Sequence, residues 1–251
     1  MSNNNSVTPQ FFWFLGHVST LFTTFSTVLF SFFSQSSYKR YYNWALLSII
    51  STYVIVISQI LKSSKSKISF FNFKSNDNLQ YLSLAIVWYL VSNQKIISGG
   101  LYPFFIFSLF HASNYFKNFI LPIAPFITSP KKDHLSKVIN TLITTYNEQS
   151  LVAAANLEIF ILIQLLAGSP FILYYVLKNF TLALVNIIVL LQYVTFMKLR
   201  YKQSKHTKLL FDGTLYKAEA YLNSSAIPPV AGTYYHQLKA QATHFIGLIP
   251  V

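Results

Sequence analysis

Cysteine is absent from this chain, which excludes disulfide frameworks, thiolate metal sites and cysteine nucleophiles. Acidic residues are scarce as well: Asp and Glu total six in 251 residues, and only Glu158 falls inside a long apolar stretch. No two carboxylates can therefore share an apolar site for acid–base work. Glycine occupies seven positions, with no Gly-rich phosphate loop, and no histidines stand at metal-ligand spacing. Charged residues make up 10% of the chain, far below the soluble average of about 25%. Together these absences argue against an enzyme and leave no residues set aside for a cofactor or a metal.

What the chain has instead is hydrophobicity, 53% of its residues, gathered into six uncharged runs. They cover residues 11–33, 41–61, 79–94, 96–116, 159–177 and 179–197. A helix rises about 1.5 Å per residue, so roughly 20 apolar residues cross a hydrocarbon core about 30 Å thick. Five runs have about that length; 79–94 is short enough to be a shallow hairpin arm. Strand-like alternation is missing from the runs, and helices satisfy their backbone internally in lipid. The reading is an all-α polytopic membrane protein of about six hydrophobic helices. Its expected organisation is a membrane domain over 1–197 and a basic tail over 198–251. The first run follows ten uncharged polar residues, and at 23 residues it exceeds a signal-peptide core, so it reads as a retained span.

Charge placement sets the expected topology. With six crossings both termini share a side, and 15 of the 19 Lys and Arg residues fall there. They are Lys62, Lys65, Lys67 and Lys74 in one loop, Lys117, Lys131, Lys132 and Lys137 in the next, and seven in the tail. Only Lys39, Arg40, Lys95 and Lys178 lie opposite. The positive-inside rule then puts both termini in the cytosol. This distribution accounts for the formal charge of +13 without direct nucleic-acid binding.

Breaks and amphipathic segments fill the spaces between runs. Gly99-Gly100 and Pro103 separate the third run from the fourth, and Pro122, Pro125 and Pro130 close the fourth. Within 133–150, Leu135, Val138, Ile139, Leu142, Ile143 and Tyr146 form one helical stripe. Two roles stay open for it: packing on the bundle, or lying in the cytosolic interface. The tail opens with Lys198, Arg200 and Lys202, followed by Lys205 and Lys208, a basic anchor where the chain leaves the bilayer. Phe211, Leu215, Ala218 and Leu222 share a helical face beyond it. A last segment sets Tyr235, Leu238, Ala242, Phe245, Ile246 and Ile249 on one side, fitting either a lipid surface or a fold back on the bundle.

The ionisable side chains singled out are His111, near the middle of the fourth run, and Glu158, at the start of the fifth. Their expected depths differ by only about 6 Å, so the two are expected to meet as an intramembrane polar pair. A neutral hydrogen-bonded lock between helices and a proton or ion site are the two readings of such a pair.

The stretch Phe107-Ser108-Leu109-Phe110-His111-Ala112-Ser113-Asn114-Tyr115 resembles the transmembrane protein 33 family, also called Krüppel homologue 2-like. Glu158-Ile159-Phe160, Leu199-Arg200-Tyr201 and Leu210-Phe211 extend the likeness over roughly Tyr81 to Phe211. Departures are Leu157, where the family tends to carry Asn beside the Glu, and Gly213 in place of a better helix former. The resemblance implies residence in the endoplasmic reticulum and nuclear envelope, with roles in membrane curvature and nuclear-pore distribution or biogenesis. Implied partners are the lipid bilayer, reticulon-type proteins, nucleoporins and nuclear transport receptors. Hence the expectation is a non-enzymatic membrane-organising protein, the alternative being a small transporter or channel.

Overall fold

A computed structural model describes residues 9–64, 76–222, 232, 233, 235–237, 239 and 240. Every element among them that has defined bounds is helical. The helices are α1 (Pro9–Phe30), α2 (Gln35–Ser64), α3 (Asp77–Val91) and α4 (Leu101–Tyr115), the last continued by a π-helical turn Phe116–Ile120. Then come α5 (Ser129–Gly168), α6 (Phe171–Lys178), α7 (Phe180–Gln203) and α8 (Lys205–Leu222). The chain divides into two compact units, Met1–Leu157 and Glu158–Val251.

In the first unit α1 and α2 form a hairpin, α3 packs on α2, and α4 packs on α1. Close approach of α1 and α2 depends on Gly16: a Cβ there would lie 2.3 Å from Thr52 Oγ1. Small residues at such crossings let helix backbones meet in lipid, where no hydrophobic drive pulls helices together. α1 buries a polar face, with Thr20, Thr23, Thr24, Ser26 and Thr27 all enclosed. That face is tolerable because hydroxyls can donate to carbonyls of their own helix. Thr20 donates to Gly16 O at 2.9 Å, Thr23 to Ser19 O at 2.6 Å and Thr27 to Thr23 O at 2.7 Å.

Asn76 caps α3, its side chain accepting from Asn78 N and Leu79 N. The connection from α3 to α4 turns through Gly99, whose φ of +76° suits glycine. Ile97 N donates to the Tyr42 hydroxyl at 3.3 Å, and Lys39 Nζ to Asn93 O at 3.4 Å. The tip of the α3–α4 hairpin therefore reaches the same level as the start of α2, although each of its α-helices has only 15 residues.

Among the described residues, four helices are long and apolar enough to cross a membrane: α1, α2 to Lys62, α5 and α7. The structure corrects the run 159–177. Its first part ends α5 at Gly168, and α6 starts afresh at Phe171. Pro170 lacks an N–H and its ring disfavours continuation, so the helix breaks there. A second difference concerns 133–150, which is the first half of α5 rather than a separate element. No Pro or Gly interrupts 131–167, so nothing stops a helix of 40 residues, about 60 Å by its rise. In the second unit α6 packs on α7 and α7 on α8. Asn179 joins α6 to α7, its side chain accepting from Leu182 N at 3.0 Å. α8 runs through Gly213 without a break.

Candidate functional site

Each unit holds a constellation of polar and aromatic side chains that includes residues singled out in the sequence. In the first, Trp13, Phe14 and His17 occupy adjacent turns of α1, and Ser108, His111 and Tyr115 recur along one face of α4. They pair in antiparallel order. His17 Nδ1 hydrogen-bonds Ser108 Oγ at 3.0 Å, the Trp13 and His111 rings are 5.2 Å apart, and Phe14 stacks on Tyr115 at 4.8 Å. His17 also lies edge-on to Trp13 at 4.5 Å and 5.0 Å from the His111 ring. The π turn carries the cluster onward, with Phe119 stacked on Tyr115 at 4.8 Å. Within the stretch Phe107–Tyr115, Ser108, His111 and Tyr115 thus form the docking face of α4 on α1.

Sequence reasoning passed over His17, although it too stands within an apolar run. It is buried, whereas His111 is exposed at the surface of the unit.

The second constellation is built on α7. Asn186, Tyr193 and Arg200 stand seven residues apart and so share one face through four turns. Asn186 Nδ2 donates to Leu182 O at 2.7 Å, and the Tyr193 hydroxyl donates to the Glu158 carbonyl at 2.9 Å. Arg200 Nε lies 3.4 Å from Glu158 Oε2, with the two side chains 11% and 1% exposed. Burial of a carboxylate so completely is tolerable only beside a cation and hydrogen-bond donors. This ion pair joins the stretches Glu158-Ile159-Phe160 and Leu199-Arg200-Tyr201. Phe211 adds to it, its ring 5.7 Å from that of Tyr201, whose hydroxyl donates to Asp212 at 2.8 Å.

His111 and Glu158, expected to pair with each other, fall in different units, and each has partners within its own. The available signal for Glu158 was Arg200: the chain has 17 lysines and only two arginines, and arginine is the cation suited to buried carboxylate pairing. Of the other basic tail residues, Lys202, Lys205 and Lys208 are exposed and Lys198 is half-buried, while Lys208 Nζ sits 5.9 Å from the Tyr201 ring centre.

Along the stripe of α5, Leu135, Ile139, Leu142 and Ile143 are half-buried, while Val138 and Tyr146 are exposed. Ile139 lines a groove of about 220 Å³ with Phe14, Val18, Ala112, Ser113 and Phe116. Packing on the first unit therefore takes part of the stripe and leaves the rest uncovered. Tyr235 lies in the described part of the tail; Leu238, Phe245, Ile246 and Ile249 lie outside the described residues. Among the described residues no group of three or more His, Cys, Asp or Glu is placed to hold a metal ion.

Residues 4–245 match the profile of the family described as Transmembrane protein 33/Nucleoporin POM33. The chain is 34% identical over 259 residues to the "Pore and endoplasmic reticulum protein of 33 kDa" of Saccharomyces cerevisiae, covering 97% of this chain and 92% of that one. It is 25% identical to "Nucleoporin POM33" of Chaetomium thermophilum, covering 96% and 87% of the two chains. With "Tetra-spanning protein 1" of Schizosaccharomyces pombe the identity is 26%, over 96% and 85%. No solved structure matches. A match over nearly the whole length, with a relative 34% identical across both chains, fixes the assignment: the chain belongs to the Transmembrane protein 33/Nucleoporin POM33 family.

Proposed function

We propose that this protein organises membrane without catalysis, in the endoplasmic reticulum and nuclear envelope. It shapes or senses curved bilayer and assists nuclear-pore distribution or biogenesis. Its expected associates are the bilayer itself, reticulon-type proteins, nucleoporins and transport receptors. The names of its relatives, which speak of pore and endoplasmic reticulum, support the location.

The observation that carries the membrane-shaping part is α5. One continuous helix begins with an amphipathic half beside Lys131, Lys132 and Lys137 and ends in an apolar half long enough to span. Exposed Val138 and Tyr146 can enter the cytosolic interface while the same helix is anchored across the bilayer. That adds area to one leaflet only, which favours curvature toward the cytosol. The short α3, about 22 Å by its rise, adds a further bias by favouring locally thin bilayer. A transporter or channel fits less well, because the buried hydroxyls of Thr20, Thr23 and Thr27 are committed to carbonyls of their own helix.

The test is fluorescence localisation of the tagged protein, intact, without residues 198–251, and with Val138→Asp plus Tyr146→Asp. Concentration at the nuclear rim and tubules that is lost in the variants, with membrane residence kept, is expected. Unchanged distribution in both variants refutes the reading. The same tags report topology: protease added to sealed microsomes should remove both termini.

A further inference from the structure

The end of the first unit that holds the α1–α2 turn contains a cavity of about 130 Å³, lined by α1, the start of α2 and the Ile97–Tyr102 turn. Seven of its eleven lining residues carry a hydroxyl and none carries a charge. Some of these hydroxyls are committed: Thr27 donates to Thr23 O, and Ser31 to Val28 O at 2.6 Å. Thr24 is different. It is 2% exposed, and its Oγ1 has no hydrogen-bond partner. The carbonyl it would ordinarily use, Thr20 O, already accepts from Thr23 Oγ1 at 3.3 Å. Tyr42, also on the cavity wall, accepts from Ile97 N through its hydroxyl oxygen, leaving its proton for another acceptor.

We propose that this cavity binds the uncharged hydroxyl head of a neutral lipid, a diacylglycerol or a sterol. Thr24 and Tyr42 supply a donor and acceptor pair that a single hydroxyl, itself donor and acceptor, completes. A phosphate head would enter without any cation to meet it, and burying that charge unpaired is strongly disfavoured. Two lining residues, Val28 and Tyr102, are 38% and 40% exposed, so the cavity borders the lateral surface where the apolar body of a lipid lies. Thr24 is six residues from the end of α1, about 9 Å by helical rise. That is the depth at which a small head, rather than a bulky zwitterionic one, would sit.

The experiment uses the full chain in lipid nanodiscs with three photoactivatable probes: a diacylglycerol, a sterol and a phosphatidylcholine. One of the two hydroxyl-headed probes should label peptides containing residues 24–31 or 97–102, and its own unlabelled form should compete; that probe identifies the source. Thr24→Val, which keeps the shape and removes the hydroxyl, should lower labelling about fivefold, the equivalent of one lost hydrogen bond. Thr24→Ser should retain it. Ser98→Phe, placed at the exposed rim where folding is not at stake, should block labelling and decides the matter if Thr24→Val fails to fold. Wild-type labelling in Ser98→Phe, or equal labelling of the same peptides by phosphatidylcholine, overturns the proposal and leaves a merely solvated cavity.

Discussion

The two units solve the same problem, holding helices together in lipid, with different chemistry. The first relies on uncharged groups: a glycine crossing, threonines bonded to their own helix, a His17–Ser108 hydrogen bond and stacked rings. Glu158 and Arg200 give the second an ion pair, placed near the end of α7 that leads into the basic tail. The difference follows from the cost of charge. Deep in hydrocarbon an ionised group is expensive, whereas near the interface arginine can keep its charge while its partner stays buried. The charged contact accordingly uses Arg200 in the last turn of α7, beside the basic tail, while the contacts described in the first unit are neutral.

The strongest way to break this contrast is to remove one charge. Arg200→Leu leaves Glu158 buried without its cation and should destabilise the second unit by about 3–5 kcal/mol. Glu158→Leu combined with Arg200→Leu should recover most of the loss. Reversible unfolding in mixed micelles measures both; additive losses would show that the pair is not coupled. The same cycle run between His111 and Glu158 tests the pairing expected from sequence, and coupling there should be smaller.

Next in size is the neutral crossing. Gly16→Leu forces side chain into Thr52 and should cost about 1–3 kcal/mol, with Thr52→Ala restoring part of it. A loss unaffected by Thr52→Ala would place the strain elsewhere. Smaller still is Ser108→Ala, which removes the His17 hydrogen bond; polar contacts of this kind in membranes average about 0.6 kcal/mol. A loss of about 3–5 kcal/mol would mean that the first unit depends on one polar contact as heavily as the second.

The least effect on stability concerns the tail ion pair of Lys239 with Glu219, which holds the Glu219 carboxyl below its usual range, chiefly through the hydrogen bond. A depressed carboxylate contributes above its unfolded pKa and loses that contribution as pH falls through its folded value. Acidification should therefore loosen this contact. Carboxyl-labelled NMR should show the Glu219 titration moving up in Lys239→Ala; no movement would break the assignment.

Hydropathy alone located most of the helices, because lipid demands a length and a polarity that any sequence must display. The break at Ser169-Pro170 was also legible, through proline's missing N–H, and so was the continuity of 131–167, through its lack of Pro and Gly. Both were obscured by reading apolar runs as if they coincided with helices.

Side-chain partners are another matter. The sequence by itself determined that the chain is an all-α membrane protein and that cysteine chemistry is excluded. Only the tertiary structure decided that His17 rather than His111 is buried, that Glu158 meets Arg200, and that Thr24 faces a cavity with its hydroxyl uncommitted. The physical reason is that hydrophobicity is a property of each residue and sums along the chain. A hydrogen bond or an ion pair belongs to two residues, here 42 or 91 positions apart, and exists only once the helices have met.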